Sequence, residues 1–233
     1  MQKTIIPALI LSIASPVVAQ DLQESEIIVT GSRIDQEDYS DYMPAVGLRR
    51  SADFLVQRAT IRGDSRDADQ REEEIRAMLL RAITRSERDG VELAQGSYIV
   101  TRLTTENAGD LELTDERRPD SERIDFLIKA PLQGTSVGQA QARIDAFIDS
   151  VPEVGRAQMD KVGDPTLSVV GPDSYRHQIV AMVAQDAREQ AQVMGEEYAV
   201  ELTGLNMPVQ WARSGPGEVL LYIPYELKVV PKP

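Results

Sequence analysis

The stretch 98–130, YIVTRLTTENAGDLELTDERRPDSERIDFLIKA, decides the fold class. Its front, Tyr98-Ile99-Val100-Thr101-Arg102-Leu103, is β-branched and aromatic, the composition of a strand. At its rear Ile124, Phe126, Ile128 and Ala130 recur at every second position, the period of a second strand. The residues between, 105–121, are polar and broken by Gly109 and Pro119, so they read as a loop or long hairpin connection. Two consecutive strands with no crossover helix between them predict an α+β fold with a mixed or antiparallel sheet, not a doubly wound parallel one.

Working outward, residues 67–89 read as a helix. Ile75, Met78, Leu79, Ala82 and Ile83 recur at three- and four-residue spacing, while Glu72, Glu73 and Arg81 take the wet side. Asp67 is its expected N-cap, with Gln70 three residues on. Before it, residues 52–62 are strand-like, with Leu55, Ala59 and Ile61 on one face. After the central strands, Val137, Ala140, Ile144, Phe147 and Ile148 form a helix that stops at Pro152.

Leu167–Val170 reads as a short strand ending in a Gly171-Pro172 turn. A helix capped by Ser174 follows, with Ile179, Val183, Ala187, Ala191 and Met194 as its stripe and Gly195 as its stop. Two strands close the chain, one near Met207–Ala212 and one over Val219–Val229. In the second, Leu220 and Tyr222 face away from the main apolar set. Pro224 cannot donate to a ladder, so this strand is expected at an edge or to carry a bulge. The expected order is β-α-β-β-α-β-α-β-β.

The charge excludes whole classes of partner. With 25 basic against 38 acidic side chains the formal net charge is −13, a field that repels nucleic acid and anionic headgroups. The chain has no cysteine and one histidine, which removes the usual zinc and thiolate chemistries, and no cofactor is expected.

Residues 1–19 read as a cleavable secretory signal. Lys3 leads into the apolar run Ile5–Ala14, and Val17-Val18-Ala19 precede an expected mature start at Gln20. No other stretch approaches the length of a membrane span, so a periplasmic protein, free or associated with the outer membrane, is expected. Residues 20–45 are dense in acid around one island, Ile27-Ile28-Val29, and read as a disordered, flexible arm. The folded domain is expected over 46–233.

From about Gly47 to Val230 the order of elements resembles the SIMPL-domain family, also called DUF541. The features that carry the likeness are an early strand running into a long helix, the Tyr98–Leu103 and Ile124–Ala130 strands, and the Ser136–Ser150 helix. They continue with the late helix Tyr175–Gly195, whose Ala184, Ala187 and Ala191 stand three and four residues apart, and a terminal strand with Tyr225-Glu226-Leu227. The resemblance implies an exported, non-catalytic protein that assembles with itself and serves in stress protection. It supplies no active site. Within the arm, Glu26-Ile27-Ile28-Val29-Thr30-Gly31-Ser32-Arg33-Ile34 resembles the hydrophobic box at the start of TonB-dependent receptors. That likeness implies a partner-binding segment, Glu26 to Gly31, adding a strand to an energy-transducing envelope protein. The alternative is a first strand docked on this protein's own sheet.

Gly134-Thr135-Ser136-Val137-Gly138 matches G-x-S-x-G after a strand and at a helix start, with His177 downstream and Asp164 and Asp173 as acids. The same residues spell Ser136-x-x-Gln139, a capping box, which the sequence favours over a nucleophile. The acidic runs Asp64–Glu74 and Asp110–Glu122 miss the spacing of a calcium loop and read as solvated surface. Trp211, the only tryptophan, reads as core or interface. The expected role is a non-enzymatic envelope protein acting by self-assembly and protein contacts.

Overall fold

The computed structural model describes residues 26–29, 45–97 and 99–232. The expected signal segment 1–19, the Gln20 start, the arm residues 20–25 and 30–44 (Thr30 and Gly31 among them) and Tyr98 lie outside the described residues.

The elements run β1 (Glu26–Val29), β2 (Leu48–Ser51), β3 (Phe54–Gly63), α1 (Ala68–Asp89), β4 (Glu92–Gln95), β5 (Thr101–Arg102), β6 (Thr114–Asp115), β7 (Glu122–Pro131), α2 (Val137–Ser150), β8 (Gln158–Val170), α3 (Arg176–Met194), β9 (Tyr198–Thr203), β10 (Gln210–Arg213), β11 (Glu218–Tyr222) and β12 (Glu226–Pro231). The fold is α+β, and the pairs β1–β8, β8–β3, β3–β7, β7–β4 and β4–β5 are antiparallel. The main sheet has the order β1-β8-β3-β7-β4-β5, with β6 also on β7. A second sheet has the order β10-β11-β2, and β9 and β12 form a separate ribbon.

The alternation in β3 and β7 sorts two faces. Leu55, Ala59, Ile61, Ile124, Phe126 and Ile128 meet Ile75, Met78 and Leu79 of α1 and Ile144 and Phe147 of α2 in the principal core. The opposite face carries a smaller cluster of Val56, Ala94, Leu127 and Ile28. Asp67 caps α1 by accepting from Gln70 N at 2.9 Å. The Gln70 side chain does not return to the cap; it donates to Glu74 instead, at 2.8 Å. At α2 the capping box is complete on both sides.

Several elements depart from the sequence expectation. The short strand at 167–170 is the end of the thirteen-residue β8. Its first half is exposed and charged, so its own pattern gives no strand signal; pairing with β3 imposes the conformation. Opposite Gln57 the register skips Gly163, Asp164 and Pro165, a bulge in β8. The buried Gln57 amide donates to the carbonyls of Val162 and Gly163 at 3.0 and 3.1 Å, satisfying groups that the ladder cannot.

The expected strand through Leu103 shrinks to β5, because Ile99 leaves the hairpin to bridge Ile27. Gly96 permits this turn: its φ is +118°, and a Cβ there would lie 2.0 Å from the Ile99 carbonyl oxygen. Ser174 does not cap α3. A 3-10 turn, Pro172–Tyr175, precedes the helix, and the Ser174 hydroxyl donates back to Gly171 O at 2.6 Å. The expected last strand divides around Pro224 into β11 and β12, which belong to different sheets. Leu220 and Tyr222, which face away from the main apolar set of that strand, are buried within this chain.

Candidate functional site

β1 is where the two margins of the main sheet meet. On one side Glu26 to Val29 pair with Val170 to Leu167 of β8. On the other, Ile27 bridges Ile99 and Val100 N donates to Glu26 O at 3.2 Å. The sheet is thereby curled, with the helices outside and the smaller cluster within. Ile27 and Val29 turn toward the principal core and Ile28 toward the inner cluster, all three buried.

The inner face at this end is polar and closed. The Lys129 ammonium, on a side chain 4% exposed, pairs with Glu26 and lies 3.2 Å from Glu92. It also stands 4.0 Å from the centroid of the Phe54 ring, a cation–π contact. Ser168 donates to the other Glu26 oxygen at 2.6 Å. A buried ammonium needs such partners, because its desolvation costs several kcal/mol.

The other end of the same face is open. There β3 runs between β7 and β8, and its register sets three rows: Leu127–Arg58–Val162, Asp125–Thr60–Asp160 and Arg123–Arg62–Gln158. All of these but Gln158 line a groove of about 840 Å³ that also reaches Gly96, Ser97 and Glu116. Within it Arg62 pairs with Asp160 at 3.1 Å, and Arg123 with Asp125 at 3.1 Å and Glu116 at 3.6 Å. Lys161 pairs outward with Asp145 at 2.9 Å. The Asp125 partnership, first among the causes, holds the Arg123 guanidinium above its ordinary pKa.

The residues singled out from sequence fall in different places. Glu26, Ile27, Ile28 and Val29 form the docked strand, which is the alternative the sequence left open for the arm; binding another protein through them would require β1 to leave β8. Ser136 sits at the start of α2, accepting from Gln139 N at 3.3 Å while Ser136 N donates to Gln139 Oε1 at 3.1 Å, which is work for a cap. His177 is exposed in the first turn of α3. Asp173 accepts from Val209 N at 3.2 Å, and Asp164 lies in the β8 bulge.

In the first acidic run, Asp64 pairs with Arg156 at 3.4 Å, and Glu74 accepts from Ser65 Oγ at 2.6 Å and Arg156 N at 3.0 Å. In the second, Glu122 pairs with Arg71 at 2.7 Å. Among the described residues no group of three or more such side chains is placed to hold a metal ion. Trp211 is buried in the core, as expected. The groove escaped sequence reasoning, although Arg58, Thr60 and Arg62 at alternate positions of a strand otherwise apolar but for Gln57 are the signal that marks it.

No family model matches this chain, and no curated protein does. Among solved structures, a hydrolase from Listeria innocua is 13% identical, covering 82% of this chain and 97% of its own, with a TM-score of 0.18. An uncharacterized conserved protein from Listeria innocua is 12% identical over 82% of this chain and 97% of its own, with a TM-score of 0.16. Overlaps this poor bear on neither the fold nor the activity of this chain.

Proposed function

We propose that this chain is an exported, non-enzymatic SIMPL-type protein of the periplasm or cell envelope that works by self-assembly and protein contacts, in the stress-protective role the resemblance implies. The observation that carries this reading is the β9–β12 ribbon. Each of its strands has one partner among the described residues, so two ladder edges stand open. Beside it, at the end of α3, Val193 is 87% and Met194 55% exposed, with Tyr198 of β9 adjacent in the chain. Open edges and clustered exposed apolar side chains are the surfaces that association covers.

Light scattering on residues 20–233 at micromolar concentration tests the reading. An oligomer is expected, tightening as salt screens the repulsion of a chain with net charge −13. Replacing Val193 and Met194 together by Glu should dissociate it with little change in melting temperature, because neither side chain contributes to the core. A monomer at both low and physiological salt overturns self-assembly. An intact mass that retains Lys3 in exported material overturns the cleaved signal.

A further inference from the structure

Among the described residues, every charged side chain lining the open groove has a partner of opposite sign except one. Arg62, Arg123, Lys161, Asp125, Asp160 and Glu116 are all matched. Arg58, exposed at the centre of the inner row, makes no ion pair, although the chain carries 38 acidic side chains against 25 basic. Its cross-strand neighbours are both apolar: Leu127 on β7 and Val162 on β8, the latter 44% exposed. The row thus sets an exposed charged fork next to an exposed aliphatic side chain, Val162, with the buried Leu127 on the other side.

We propose that the groove binds an aliphatic monocarboxylate, its carboxylate on the Arg58 guanidinium and its chain against the exposed Val162, at the margin of the buried Leu127. The fork of Arg matches the two oxygens of a carboxylate, and the half-apolar lining accepts the chain. The acids fix the charge of the ligand. Asp125 and Glu116 both pair with Arg123 and Asp160 with Arg62, so an entering ligand finds one free cation; a monoanion uses it fully, and the second charge of a phosphate monoester has no cation left to meet. The rigidity of the inner end comes from the Gln57 amide, which fixes the β8 bulge directly beside Val162.

The test is a titration of residues 20–233 with sodium hexanoate, followed by amide chemical shifts, with hexylamine and hexyl phosphate as comparisons. Hexanoate should shift the Leu127 and Val162 amides saturably, and more weakly at high salt. Arg58→Gln should weaken binding by about tenfold or more, the loss expected for a charged hydrogen-bond partner, at unchanged melting temperature. Val162→Asp should block binding independently, by giving Arg58 a carboxylate across the strand pair. Equal affinity for hexanoate in wild type and Arg58→Gln overturns the proposal. So does the absence of a saturable shift at about 10 mM, a concentration at which even a weak site fills. Tighter binding of hexyl phosphate or hexylamine than of hexanoate overturns it as well. Because the groove and the β9–β12 ribbon share no residue, these outcomes are separate from the oligomer measurement.

Discussion

Lys129 on β7 and Glu26 on β1 stand 103 residues apart in the chain and meet as an ion pair inside the curl of the sheet. The pair links the strand that joins the sheet margins to the middle of the sheet. Glu26→Ala should therefore cost about 3 kcal/mol, because it leaves a buried ammonium with Glu92 alone. Exchanging both partners, Lys129→Met with Glu26→Leu, should recover most of that loss. Urea unfolding of the three chains measures both effects, and a neutral Glu26→Ala would mean that β1 spends its time undocked in solution.

Acid should destabilise the protein through Glu74. The Ser65 hydroxyl, then the Arg156 amide, hold its carboxyl below the ordinary glutamate range against the opposing pull of burial. A group with a depressed folded pKa contributes its full stability above its unfolded pKa and loses it as the pH falls through the folded value. Melting temperature should thus fall as the pH drops below the usual glutamate range, and Glu74→Gln should flatten that fall while lowering stability at neutral pH. An unchanged acid profile in the Gln chain would refute the assignment.

Gly155 guards the same carboxylate. Its φ is +55°, and a Cβ there would lie 2.1 Å from Glu74 Oε1. Gly155→Ala should cost about 1–2 kcal/mol from the backbone alone, before displacement of Glu74 is counted. It should also mimic Glu74→Gln in its pH profile. Thermal melts across the acid range check both parts.

Ser136→Ala should act on stability and on nothing else. Losing the cap of α2 costs about 0.5–2 kcal/mol. Gln139→Ala should lower the melting point in the same direction, since it removes the other half of the capping box. An esterase activity abolished by Ser136→Ala at unchanged melting temperature would instead establish a nucleophile.

What was legible in the sequence follows from what each element depends on. α1 and α2 carry their own caps and apolar stripes, so Asp67, Ser136 and the Ile75 and Ile144 faces could be read directly. β3 and β7 bury one face throughout and the other only in part, so their alternation shows. The first half of β8 could not be read, because Gln158–Gly163 owes its strand conformation to β3 and not to its own side chains. β4, with only Leu93 and Ala94 buried in four residues, is too short to show a period. β2 and β9 bury no residue fully, so they show no apolar face either. Pro224 marks an edge or a bulge in the sequence but does not show the change of sheet, since each of these uses a missing donor. Arg58 was visible as a residue, but its lack of a partner is a property of β7 and β8 together.

The meeting of β1 with β8 also sets a timetable. Ser168 lies 142 residues after the Glu26 it bonds, so a chain made from its N-terminus presents Ile27-Ile28-Val29 long before their seat exists. At ordinary rates of synthesis the wait is on the order of ten seconds, many times the microseconds in which a hairpin forms. An apolar, β-prone triplet left unpaired for so long is a hazard for aggregation. Charges flanking such a triplet oppose pairing between nascent chains, and Asp21, Glu24, Glu26, Asp35, Glu37 and Asp38 stand in that position in the sequence.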